Sequence, residues 1–484
     1  MRLCYFACLV FLMSSCSSDD TASGEQNYPE HIFNYDLVLT NQLEVDLFGQ
    51  ENYTNVTGDV IINGEDVDLN PITNLSALSS LETIDGNLSI RYTNVVSLNG
   101  LENISSSVED LLIEYNDKLT AINALSNISN FNTIRINDNN KLESLIGLNG
   151  ATQLVRIVLL NNEMLDNLDG LSNLSTVQEN FNLINIPLTD ISALNNLTNA
   201  GSLYIGGSQL TNLNGLSNVT ALQTFEVQYN TQLLSLTGLS GLIDLQGLVV
   251  RYNPSLLSLT GFSSNVNSLE ILTISMNSSL VNLEGLESII SIEDIQLIDN
   301  DHLLNLEGLN PLLNVTNDIE ITENPLLSNI DNLNNVNSLN NIILTYNSQL
   351  TNLNGLSNLS TINESLEITN NASLVDIELQ NLNSVQSLTL ISNPMVEVSF
   401  PNLTSIDALR LEINTQLERL DGFTALANFV GTQGSFYAQY NTSLNDYCGL
   451  NNWVLNNSTN FSSFVAQGNG TNTSIAFFEA GNCN

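Results

Sequence analysis

The sequence predicts an all-β-rich solenoid: a β-helix-like, right-handed coil of about 17 repeats of about 23 residues with a cap at each end. Three observations predict it. An apolar residue recurs on that period at Ile62, Ile90, Ile113, Ile136, Leu159, Leu183, Ile205, Val227, Val250, Ile274, Leu297, Ile321, Leu344, Ile368, Leu390, Leu411 and Ala438. Three residues later stands an Asn, at Asn116, Asn139, Asn162, Asn230, Asn253, Asn277, Asn300, Asn324, Asn347, Asn371, Asn393, Asn414 and Asn441. Within a repeat the apolar positions are spaced by three and, in one short stretch, by two, as in Leu350, Leu353, Leu356, Leu359, Ile362, Leu366 and Ile368. A helix needs a spacing near 3.6, and Asn, Gly and Ser are poor helix formers, so long helices are excluded.

Each part of the repeat has a physical reason. Pairs such as Leu366 and Ile368 alternate as a short strand does, with both side chains on one face. The period-three residues point inward from successive corners, so each coil buries one layer of Leu and Ile against its neighbours and is unstable alone. The recurring Asn can both donate and accept between coils, which Asp cannot do. The recurring Gly at Gly100, Gly147, Gly170, Gly215, Gly238, Gly261, Gly285, Gly308, Gly355 and Gly422 is expected to turn a corner at positive φ. Coils around Ile62, Ile90, Leu183 and Ile205 are one residue shorter at the Asn turn and lack the Asn.

Charge excludes whole classes of function. Lys+Arg 9 against Asp+Glu 51 gives a formal charge of -42, and the nine cations form no run. Nucleic-acid binding needs clustered Lys and Arg, and an anionic bilayer repels such a chain. Hydrophobic residues at 42% support a long ordered core rather than disorder.

The first residues give the address. Arg2 precedes an apolar run from Leu3 to Met13, too short to span a bilayer, which reads as an export signal. Ser14, Ser15 and Cys16 close it and resemble a bacterial lipobox, which implies cleavage before Cys16 and acylation of that residue. The following SSDDTASGEQ resembles the acidic tag of Bacteroidetes surface lipoproteins, which implies an outer-membrane anchor with the chain on the cell surface. The organisation expected is a signal peptide at 1–15, a polar tether at 16–36, an N-terminal cap at 37–56, the solenoid at 57–444 and a C-terminal cap at 445–484. With Cys4 and Cys8 removed and Cys16 acylated, Cys448 and Cys483 remain, and an even pair in an oxidising compartment reads as a disulfide.

The repeat frame resembles leucine-rich repeats, particularly the receptor L-domain-like arrays of Bacteroidetes surface proteins, over residues 37 to 484. The resemblance implies a helical N-terminal cap in 38–62, where Asn41 and Glu44 have capping-box spacing and Gly49 closes the helix. It implies a C-terminal cap in 445–457 with 480–484, where Leu450, Trp453 and Val454 share one helical face.

Catalytic constellations are sparse. The two His, His31 and His302, support neither a nucleophilic triad nor a His-rich metal site. Paired carboxylates such as Asp299 with Asp301, or Asp66 with Asp68, have the residue types a glycosidase uses. No acidic loop has the alternating oxygen ligands of a Ca²⁺ site, and no cofactor is implied. A stronger pattern lies just before the ladder Asn, where Tyr recurs at Tyr92, Tyr115, Tyr229, Tyr252, Tyr346 and Tyr440, and Met276 continues the run. Arg91 and Arg251 each precede one of these Tyr. Tyr229, Tyr252 and Met276 are expected to form a contiguous ribbon that binds a neutral glycan or a protein, or else packs over the turns below. The sequence thus predicts a binding or adhesion module rather than an enzyme, with a carbohydrate-active enzyme and a passive surface coat as the alternatives.

Overall fold

The computed structural model describes residues 31–65 and 70–483. The signal segment, Cys16, the acidic stretch after it, and Asp66 and Asp68 lie outside the described residues. The chain divides into two compact units, Met1–Phe225 and Glu226–Asn484.

The described residues make about 19 coils, each placing one strand in a parallel sheet. That is one coil more at each end than the sequence period reveals. Leu37–Leu39, in the segment read as N-terminal cap, pairs with Val60–Asn63, and Phe461–Gln467, in the C-terminal cap segment, pairs with Gly434–Gln439. Leu39 and Ala466 stand where the recurring apolar residue should be, among neighbours too degenerate for the period to show.

In the first unit Ile90, Ile113, Ile136, Leu159, Leu183 and Ile205 are register partners on successive strands. In the second, Val250, Ile274, Leu297, Ile321, Leu344, Ile368, Leu390, Leu411 and Ala438 do the same. All are buried, as are the corner residues Leu350, Leu353, Leu356, Leu359 and Ile362. Because side chains alternate across a strand, the residues on either side of this buried column face away from the core. The period-two and period-three signals therefore belong to one layer per coil.

The Asn ladder is present and satisfies both partners at each step. Asn300 Nδ2 donates to the Ile274 carbonyl of the preceding coil at 2.9 Å, and its backbone N–H donates to Oδ1 of Asn324 in the next coil at 3.1 Å. In the second unit the ladder runs without a gap from Asn230 to Asn441, passes to Asn469, and ends within one turn where Asn469 N–H reaches Oδ1 of Asn472 at 3.1 Å. In two of the short coils, those of Ile90 and Ile205, a hydroxyl takes the ladder place. Thr93 gives both its N–H and its Oγ1 to Asn116 Oδ1, at 3.0 and 2.6 Å. Ser208 is buried at the equivalent position, whereas the apolar Ile186 fills it in the coil of Leu183.

The positive-φ expectation for the recurring glycines needs correction. Gly100, Gly147, Gly238, Gly261, Gly285 and Gly308 have positive φ, but Gly170, Gly215, Gly355 and Gly422 do not. Gly170, Gly215 and Gly355 lie in single 3₁₀ turns. What Gly170 and Gly100 share is close approach: a Cβ would collide with the carbonyl oxygen of Leu145 or Leu75 in the coil before.

Helix α1 (Gln42–Gln50) opens the array. Asn41 caps it by accepting the Glu44 N–H at 3.1 Å, and the Glu44 carboxylate returns to the Thr40 N–H at 2.7 Å, one residue earlier than in a regular capping box. Gly49 does not end the helix. It lies inside it, where it lets the helix sit against Ala77. At the other end Leu450 is buried in the 3₁₀ turn Cys448–Leu450, α2 (Asn451–Asn457) buries Trp453 and Val454, and α3 (Ile475–Glu479) buries Phe478. Cys448 and Cys483 are disulfide-bonded and tie the two helices' flanks together.

Candidate binding surface

The residue before each ladder position is held at positive φ. Tyr92, Tyr115, Asp138, Asn161 and Asn185 in the first unit lie between 52° and 56°. Tyr229, Tyr252, Met276, Asp299, Glu323, Tyr346, Asn370, Ser392, Ile413 and Tyr440 in the second lie between 53° and 59°. Gly207 and Gly468 take the same place at 71°. The turn requires this conformation: one left-handed residue swings the next side chain inward, where Asn or Thr joins the ladder. The conformation costs a bulky side chain of order 1 kcal/mol or more and persists because the surroundings fix it from both sides. Tyr252 N–H, for example, donates to Ser275 O at 3.0 Å, and the amide of Asn253 holds Arg251 O at 2.9 Å.

These left-handed residues project at the rim where strands meet their turns. Tyr92 stacks on Tyr115 with ring centroids 4.8 Å apart and planes 6° from parallel. Tyr229 stacks on Tyr252 at 4.4 Å and 16°. Tyr92, Tyr115 and Tyr229 remain 37%, 44% and 50% exposed, so the rings pack on each other and not into the core. Met276, half-buried, follows Tyr252 on the next coil. Tyr346 and Tyr440 are exposed but isolated: Glu323 and Asn370 flank the first at the rim, Ile413 and Gly468 the second. The Asp138 carboxylate and the Tyr92 ring raise the Tyr115 pKa, and burial followed by the Tyr252 ring raises that of Tyr229. Both phenols are therefore neutral hydrogen-bond donors at physiological pH.

Arg91 and Arg251 lie beside these stacks but on a different surface. They end the strands Leu88–Arg91 and Asp244–Arg251 and face outward from the sheet. Arg135, Arg156 and Arg410 also lie in strands, which concentrates most of the chain's few cations on the outer sheet face. This surface is not evident from the arginines' places along the chain, although the positions flanking the buried column follow from the alternation of two. In the second unit Arg251, Ile271, Asp294, Gln296 and Glu320 line a depression of about 400 Å³ on that face. In the first unit Arg156 pairs with Glu179 at 2.5 Å, and Asn137 donates to Glu114 at 3.0 Å. The buried Ser89 Oγ and Asn137 Oδ1, and Nε of Arg91 and of Arg156, have no hydrogen-bond partner among the described residues.

The carboxylate pair offered for catalysis is split by its setting. Asp299 is a rim residue at φ 55°, and Asp301 is exposed in the turn beyond it. His302 lies beside Asp301 and is bonded through Nδ1 to Ser278 O at 2.6 Å. Among the described residues no group of three or more His, Cys, Asp or Glu is arranged to hold a metal ion.

No protein-family model and no curated relative matches the chain. Among solved structures it is similar to an internalin of Listeria monocytogenes, at 17% identity over 79% of this chain and 88% of that one, TM-score 0.31. It is also similar to a leucine-rich repeat protein of Bacteroides eggerthii, at 14% identity over 87% and 68%, TM-score 0.32. A third is the TLR13 of a TLR13–ssRNA13 complex, at 15% identity over 90% and 78%, TM-score 0.34. The parallel strand of each coil, the buried leucine layer and the Asn ladder identify the fold of this chain as a leucine-rich-repeat-type β-solenoid.

Proposed function

We propose that the protein is a binding and adhesion module, lipid-anchored at the outer membrane through Cys16 and displayed on the cell surface, whose ligand platforms are the two tyrosine stacks. The observation that carries this reading is the left-handed backbone of Tyr92, Tyr115, Tyr229 and Tyr252. Gly or Asn fits that conformation at least cost, so four aromatic rings held there in two parallel pairs, three of them exposed and Tyr252 half-buried, imply a use that offsets the strain. A rigid, flat, partly apolar ring with a hydroxyl stacks on a sugar or a protein side chain at little entropic cost. The carboxylates near Arg251 favour a neutral glycan or a protein surface at the Tyr229–Tyr252 stack.

A glycan and host-protein array probed with the chain lacking residues 1–16 tests the reading. Replacing Tyr229 and Tyr252 by Ala is expected to weaken the ligand found there at least tenfold, about 1.4 kcal/mol, with a nearly unchanged melting temperature. Normal binding together with a melting temperature several degrees lower would assign the rings to packing instead.

A further inference from the structure

Three arginines cross the outer sheet face of the first unit on a diagonal. Arg91 ends the strand Leu88–Arg91; Arg135 lies two strands on, in register with Leu112 and Ser89; and Arg156 lies one strand further, opposite Thr133. Adjacent strands are about 4.8 Å apart, so the three span roughly 15 Å across the sheet. Arg91 and Arg135 form no ion pair among the described residues, whereas Arg156 is held by Glu179. Glu114 is the register partner of Arg91 on the next strand, yet its carboxylate accepts from Asn137 at 3.0 Å and forms no ion pair with Arg91.

The same patch contains unused hydrogen-bonding capacity that is not simply exposed to water. Ser89 and Asn137 are each 8% exposed, and Ser89 Oγ and Asn137 Oδ1 lack partners, as does Nε of Arg91. Buried polar atoms left without partners cost about 1–3 kcal/mol each, so a group of them on one face marks a place where something else supplies the bonds. Donors and acceptors are interleaved: Arg91 and Arg135 offer N–H groups suited to a carboxylate, and Asn137 Oδ1 and the Glu114 carboxylate offer acceptors suited to hydroxyls. At the edge of this patch, immediately after Arg91, begins the Tyr92–Tyr115 stack.

We infer that the sheet face around Arg91 and Arg135 binds a carboxylated saccharide. The sugar ring lies against the Tyr92–Tyr115 platform, its carboxylate is held by Arg91 and Arg135, and its hydroxyls donate to Asn137 and Glu114. An acidic peptide would use the arginines but has few hydroxyl groups for the two acceptors. The equivalent region of the second unit differs: a single arginine, Arg251, shares its depression with Asp294, Asp318 and Glu320. The inference rests on the reading of the tyrosine stacks as ligand platforms.

Calorimetry on the detergent-solubilised full chain tests it with a galacturonate tetramer, the methyl ester of that tetramer, and poly-L-glutamate. The tetramer is expected to bind, and the ester and poly-L-glutamate to bind at least tenfold more weakly. Arg91→Gln with Arg135→Gln is expected to weaken the tetramer at least tenfold with the melting temperature unchanged, and Arg251→Gln to leave it as in the parent. The inference is overturned if the tetramer does not bind, if the ester binds equally well, if the double variant binds normally, or if poly-L-glutamate binds as tightly, which would make the ligand an acidic protein. Loss of a neutral-sugar interaction on changing Tyr229 and Tyr252, with no uronate binding to the parent, would remove this inference and leave the platform reading standing.

Discussion

Oδ1 of Asn277 accepts two hydrogen bonds from Asn253 in the coil before it, from the backbone N–H at 3.1 Å and from Nδ2 at 3.3 Å. The same Asn277 donates through its own Nδ2 to Val250 O at 2.9 Å and to Ser275 O at 3.0 Å. Asp at this site keeps the acceptor, loses both donations, and places a charge among carbonyl oxygens in a fully buried position. Asn277→Asp is therefore expected to destabilise the second unit by about 3 kcal/mol or more, and Asn277→Ala by about 2 kcal/mol. Hydrogen exchange should show the loss centred on the coils of Val250, Ile274 and Leu297, because each coil depends first on its neighbours. Equal effects of the two substitutions would contradict the role given to the amide.

At Tyr252 the expectation runs the other way. Asn adopts the left-handed conformation more readily than Tyr, so Tyr252→Asn relieves backbone strain while losing one ring contact with Tyr229. The two effects are each about 1 kcal/mol and opposed, so thermal stability is expected to stay within about 1 kcal/mol of the parent. A loss of several kcal/mol on thermal unfolding would mean that the ring is a structural support.

The single Trp of the chain, Trp453, reports on the C-terminal cap. It is fully buried, with Phe429, Phe436 and Phe461 set edge-on around it. The Cys448–Cys483 bond closes a loop of 35 residues, for which chain entropy gives about 4 kcal/mol. Reduction, or Cys448→Ser with Cys483→Ser, is expected to red-shift the Trp453 emission and raise its quenching by iodide at temperatures where the coils remain folded.

Tyr447 gives the same cap an alkaline limit. Burial pushes its phenol up to about 12, and its hydroxyl donates to Thr471 O at 2.7 Å. The folded state thus favours the protonated form. That contribution is complete below the ordinary Tyr value near 10 and is lost as pH rises from there through about 12. Trp453 emission should shift in this window, and Tyr447→Phe should move the transition to higher pH at the cost of one hydrogen bond at neutral pH.

For the anchor, Cys16→Ser is expected to release the protein from membranes, and mass spectrometry of the parent to find a lipid on a mature chain beginning at Cys16. Changing Ser18, Asp19 and Asp20 together to Ala is expected to keep the lipid and reduce protease-accessible protein on intact cells. An unmodified N-terminus elsewhere would refute the anchor, and unchanged surface exposure would refute the tag.

What was legible in the sequence is what recurs on a fixed period or rests on a characteristic residue type. The buried column, the Asn ladder, helix α1, the Trp453 helix and the cysteine pair all depend on side chains that few others replace. The left-handed rim was not legible, because Tyr, Met, Asp, Glu, Ser and Ile occupy it as well as Asn and Gly, and the backbone there is fixed by the next residue's hydrogen bonds. The role of Gly170 was misread for a related reason: absence of a Cβ can serve close approach as well as positive φ, and only the neighbouring coil distinguishes them. The arginine face depends on which coils are adjacent, so Arg91, Arg135 and Arg156 look scattered along the chain and meet only once the register is known.

The ladder also has a direction. Its backbone N–H groups point to the coil that follows, from Thr93 through Asn139 to Asn162 in the first unit and from Asn230 through Asn441 to Asn469 in the second, where Asn472 supplies the last acceptor from within the same turn. On the ribosome, where synthesis runs in that same direction, a newly emerged coil has its donors in place but must wait about one further repeat for their acceptor. Folding of the nascent chain should therefore trail translation by a coil at each ladder step, and the segment containing Asn472 can close without waiting. A stop placed between two coils leaves a buried donor open at its end, whereas a stop after Asn472 does not, so stalled or truncated chains of this protein should differ sharply in their recognition by quality-control proteases.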